Sequence, residues 1–210
     1  MTSTTVENVV SRTTGIKKKF ALPVDSTLSQ AANAAAVGSF ANVDGLVGDC
    51  TRFGNYATLN FTLTNVVMNC TDAGASGSSG SVQLFTFVQQ AIASIGCRQN
   101  YSSIVEGGAL TSSAGDAVYQ VGLGSVAVTA KDGSLGGTDQ DLGGKTSTIT
   151  DSGGVGSGSK VSAPASVLDG TDTPVGIFLN WSGTAATIDA NGTMTFTGTI
   201  TLLVALLGDD

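Results

Sequence analysis

From Met194 to Leu206 the chain keeps one rhythm. Met194, Phe196, Gly198, Ile200, Leu202, Val204 and Leu206 fall on even positions, while Thr193, Thr195, Thr197, Thr199 and Thr201 fill the odd ones. A side-chain period of two is that of a strand, and β-branched threonine opposite an apolar row fits a pleated surface with one face in a core. Gly198 marks a bend. From Leu203 the odd side turns apolar too, through Ala205 and Leu207. A strand apolar on both sides is covered on both, by its own fold or by another subunit.

The same period recurs upstream. Leu59, Phe61 and Leu63 share one side of 56–70, Val82–Val88 is a β-rich run, and Val175, Ile177, Leu179 and Trp181 alternate. Tyr119, Val121 and Leu123 are odd but Val126 and Val128 even, so the apolar face slips near Gly122 or Gly124, as at a β-bulge or strand break. Ala190-Asn191-Gly192 reads as a hairpin turn. Eight or so strands with turns at short intervals predict an all-β fold, a β-sandwich or jelly roll over residues 46–210. Residues 1–45 read as an extended N-terminal arm followed by a short helix or loop. Asp25 or Ser26 is placed to cap a helix that Gly38 ends, and a loop is the alternative. At most one or two short helices are expected. Residues 133–164 are mostly Gly, Ser, Thr and Asp and read as a long exposed excursion whose only strand is Thr146–Thr150.

Composition narrows the chemistry. Gly, Thr and Ser make up 79 of 210 residues, only 12% are charged, and the net charge is -7. Histidine is absent, which removes the commonest general base and metal ligand. Cys50, Cys70 and Cys97 are odd in number with no CxxC, so they read as reduced, buried thiols, with one disulfide plus a free thiol as the alternative. No apolar segment precedes Lys17-Lys18-Lys19, and Leu202–Leu207 is too short to span a bilayer, so neither a signal peptide nor a membrane segment is expected.

Four of the nine basic residues, Arg12, Lys17, Lys18 and Lys19, lie in the first twenty positions with one acid, Glu7. That stretch carries +3 and the remainder -10. A basic arm before an acidic body reads either as a solvated terminus or as an arm docking on an acidic neighbour, such as another copy. These four residues are the candidate docking site. The acidic body would repel phosphate, so nucleic acid is not an expected partner.

Other motifs weigh little. The segment 136–146 approximates GxxxxGK[ST], but position 139 is Asp139 where the pattern needs glycine, and its aspartates would repel an anion. Asp139 with Asp141, and Asp169 with Asp172, are a possible calcium pair each, against the ordinary reading of turn residues. Five Asn-x-Ser/Thr triplets, at Asn60, Asn69, Asn100, Asn180 and Asn191, arise readily in so hydroxyl-rich a chain and do not mark glycosylation. Trp181, Tyr56, Tyr101 and Tyr119 are scattered and read as core and interface packing. Only two glutamates, Glu7 and Glu106, occur, and no Ser or Thr has an activating base nearby in sequence. No catalytic residue, metal site or cofactor is expected, and no enzymatic activity.

The stretch Gly176–Leu202, together with Phe53–Thr64 and Gly115–Ser125, resembles virion proteins of tailed bacteriophages, which often close with an apolar strand, an Asp-Ala-x-Gly-Thr turn and a Thr-alternating strand. Among these it is most similar to head decoration, or cement, proteins. The likeness implies a β-sandwich on the capsid exterior of a virion assembled in the host cytoplasm. It implies a dimer or trimer whose partners are the major capsid protein and other copies of itself, bridging shell subunits to stabilise them. A tail-spike or fibre module, or another host-surface recognition module, is the alternative. No site residues carry over.

Overall fold

The computed structural model describes residues 37–72, 77–108, 110, 117–129, 134–184 and 191–208. Among these residues twelve strands form: β1 (Gly38–Phe40), β2 (Leu46–Phe53), β3 (Tyr56–Asp72), β4 (Ser78–Phe87), β5 (Ala91–Gly108), β6 (Val118–Gly124), β7 (Gly144–Lys145), β8 (Ile149–Thr150), β9 (Val155–Ser162), β10 (Val167–Leu168), β11 (Gly176–Gly183) and β12 (Gly192–Gly208). A single 3-10 turn, Gly137–Asp139, is the only helical element among the described residues. The all-β expectation holds.

Every pairing between strands is antiparallel. The sheet runs β10-β5-β12-β3-β4-β11-β6-β7, with β2 added on β3, β9 on β5, β1 on β4 and β8 on β6. Its middle is a short seam, Cys70–Asp72 against Ser78–Gly80, about which the two halves fold over as a sandwich closing toward a barrel. One half is built on β2, β3, β12, β5 and β9, the other on β1, β4, β11 and β6. Even side chains of β12 are buried between them with Leu59, Phe61, Tyr119, Leu179 and Trp181. Rings lock edge-on: Phe40 to Phe85 at 4.9 Å and Tyr101 to Phe196 at 6.0 Å. Gly156 of β9 sits where a Cβ would overlap the Tyr119 hydroxyl of β6, so the far ends of the two halves also meet.

Three expectations are corrected. The domain begins before residue 46, because β1 pairs with Phe85–Phe87 of β4 and Val37 is buried. Gly38–Phe40 is strand, and the short helix or loop expected from Asp25 or Ser26 up to this point, like the arm, falls on residues 1–36, outside the described residues. Asn191-Gly192 does not join a hairpin: β11 pairs with β4 and β6, while β12 pairs with β3 and β5, so the connection crosses between halves. The 133–164 region is not an exposed excursion, since Leu135 and Leu142 are buried and β9 pairs along β5. The slip after Leu123 is a strand break, with β6 ending at Gly124.

Candidate functional site

The two halves treat their outer sides differently. The outer side of β11 and β6 is roofed by the chain that follows β6. Asn180, fully buried, organises this roof: its Nδ2 donates to the carbonyls of Val126 and Asp139, both at 2.9 Å. Its Oδ1 accepts from Ser81 Oγ at 2.7 Å and Val128 N at 3.1 Å. Asp141 pins the same loop, accepting from Ser125 N at 2.8 Å and Ser125 Oγ at 2.7 Å. Lys145 Nζ donates to the Leu135 carbonyl at 2.7 Å. Further on, Gln99 Nε2 donates to Gly143 O at 2.7 Å and Gly144 O at 3.0 Å, and Ser94 Oγ donates to Leu142 O at 2.6 Å, drawing the loop into the core. Backbone groups buried this way need partners, and these side chains provide them.

The outer side of the other half has no such cover among the described residues. Register aligns its side chains in rows across β2, β3, β12 and β5. One row is Phe53, Tyr56, Ala205, Ala93; the next is Thr51, Thr58, Leu203, Gly96. Then come Asp49, Asn60, Thr201, Arg98, followed by Val47, Thr62, Thr199, Asn100. Beyond the bend lie Val67, Thr195 and Val105. The centre is therefore mostly hydroxyl and amide around one acid and one base, with Val47 exposed at its edge, and the ends are apolar. Phe53 is 54% exposed, Tyr56 51%, Leu203 36% and Leu207 50%. Among the described residues, nothing covers the doubly apolar end of β12.

Only Asp49 and Arg98 carry charge among the described outward side chains of these strands. They lie in one row, three strand spacings or about 14 Å apart, too far to pair within one chain. Thr201 Oγ1 donates to Asn60 Oδ1 at 3.0 Å and Asn60 Nδ2 donates to Asp49 Oδ2 at 3.4 Å, while Asp49 Oδ1 has no partner. Arg98 is exposed and makes no side-chain hydrogen bond to the described residues.

The residues singled out from sequence fare differently. Arg12, Lys17, Lys18 and Lys19 lie outside the described residues. Asp141 is committed to Ser125, and Asp169 Oδ1 accepts from Thr171 N at 3.1 Å and Thr171 Oγ1 at 2.7 Å, an Asx turn whose hydrogen bonds hold that carboxyl below its usual range. Among the described residues no three Cys, Asp or Glu side chains are grouped to hold a metal ion. All three cysteines are free and buried, and burial pushes Cys50 up to about 11 and Cys70 and Cys97 up to about 12. Tyr119 is raised by burial and then by the charges of Asp151 and Glu106. Asp151 accepts from Ala117 N at 2.8 Å, which fastens the entry to β6. Tyr101, Tyr119 and Trp181 are core residues, whereas Tyr56 belongs to the bare face.

Sequence reasoning did not find Phe53, Asp49 or Arg98. Their signal is complementary to the core's: they occupy outward phases of strands whose inward phase is Cys50, Cys97 and Gln99. No protein-family model and no curated protein matches the chain.

Proposed function

We propose that this chain is a virion structural protein of a tailed bacteriophage, a decoration or cement protein that binds the capsid exterior and stabilises it non-enzymatically. The observation that carries the reading is the pair of unlike outer sides: one roofed by the chain's own loop, the other, among the described residues, bare, broad and nearly uncharged. A face of Thr, Asn and apolar side chains is covered by protein without stripping water from many ions, the costly part of burying a surface. The Thr-alternating terminal strand and its resemblance to phage virion proteins supply the context. On this reading the basic arm, through Arg12, Lys17, Lys18 and Lys19, reaches an acidic neighbour, since twenty extended residues span up to roughly 70 Å. No nucleic acid, membrane or cofactor takes part.

The test is location. Gold-labelled protein added to particles lacking it is expected on the head, at symmetry-related sites. Label confined to the tail would replace this reading with that of a fibre or host-recognition module.

A further inference from the structure

We propose that the bare face of β2, β3, β12 and β5 is a self-complementary interface on which a second copy of the chain sits face to face. Its two-fold axis runs parallel to the strands over the seam between β3 and β12. This rests on the bare face that carries the shell reading and names what covers it. Because the dimer forms in solution without any shell, its failure and the failure of shell binding are separate results.

The axis follows from what each row contains. Rotation about it leaves a row's level unchanged and exchanges β2 with β5 and β3 with β12. In the row Asp49, Asn60, Thr201, Arg98, it sets Asp49 opposite the second copy's Arg98, and Arg98 opposite its Asp49. The face has one acid and one base, and both find partners twice over. In the row Phe53, Tyr56, Ala205, Ala93, the same operation lays Phe53 on Ala93 and Tyr56 on Ala205, large on small at both places. Charge and volume select the same axis independently. An axis across the strands through the charged row would put Arg98 on Arg98, and one over β12 alone would leave Asp49 beside Val161 of β9. Sheets packed face to face align within about 30°, which shifts facing positions by a few ångström only, within reach of an arginine. Four strands about 4.8 Å apart and up to about 40 Å long present roughly 700 Å², close to what one partner contributes to a standard stable interface.

Reciprocal charge reversal tests the arrangement on the full chain. Sedimentation at micromolar concentrations is expected to give a dimer for the native protein. D49R and R98D, each checked for native circular dichroism and melting, are expected to dissociate at least about tenfold more readily, since each meets like charge. Mixing D49R with R98D restores the dimer as a heterodimer, because every base then faces an acid. The double variant D49R/R98D restores it as a homodimer. A native monomer overturns the inference. So does a dimer or trimer indifferent to both substitutions, or single variants that stay apart when mixed.

Discussion

At the scale of single residues, buried polar groups decide which parts of this hydroxyl-rich chain are fixed. Asn180 uses its whole amide, three bonds to the loop over β11 and one to Ser81 of β4. Four hydrogen bonds at a net 0.5–1.5 kcal/mol each imply that Asn180→Ala costs about 2–6 kcal/mol in a urea titration. The freed loop should also be cut early by protease, between residues 125 and 143. The cysteines make a second test. A folded thiol that holds its proton up to about 11 or 12, against an ordinary 9.0, favours the native state fully below pH 9. That contribution is lost as pH rises toward the folded values, since the unfolded chain then ionises and the folded one does not. Urea midpoints should therefore fall between pH of about 8 and about 10.5, and less steeply when Cys70 and Cys97 are replaced by alanine. Native protein should be inert to thiol reagents at neutral pH until unfolded.

At the scale of elements, the strand that was easiest to read is also the one the fold depends on. β12 lies between β3 and β5 over nearly its whole length. Ending the chain before Leu202 removes the buried Leu202, Val204 and Leu206. Burial of each is worth about 1.5–3 kcal/mol, so roughly 5–9 kcal/mol disappears from a domain whose total is of order 5–15. The truncated chain should be unfolded by near-ultraviolet circular dichroism. β5 was not legible for a definite reason. Its inward side chains run Ile92 and Ser94, then Cys97, Gln99 and Tyr101, then Ile104 and Glu106, changing parity twice where bulges interrupt its pairing with β12. β3 slips likewise: Asn65, at φ 57°, is an extra residue opposite Thr197, and the core phase passes from Leu63 to Val66. β9 hid differently. Its inward positions are Gly156 and Gly158, because Tyr119 and Ile149 fill that space, so no apolar alternation marks it.

At the scale of the whole molecule, the fold class was legible because alternation in β12, β11 and the first half of β3 is uninterrupted. The bare face was only half legible. The apolar turn at Leu203 announced a second covered side, but the rows that join Asp49 to Arg98 and Phe53 to Ala93 exist only once four strands are in register. On the proposed reading, the bare face pairs two copies and the basic residues Arg12, Lys17, Lys18 and Lys19 engage acidic neighbours. Deleting residues 1–20 should then leave a folded domain that binds shells more weakly. The difference from the intact chain should shrink in high salt, where the arm's own charges are screened. The most direct test of the cement role is the heat resistance of undecorated shells with and without saturating purified protein. Decorated shells should withstand a higher temperature before they open, whereas equal melting despite bound protein would contradict the cement role.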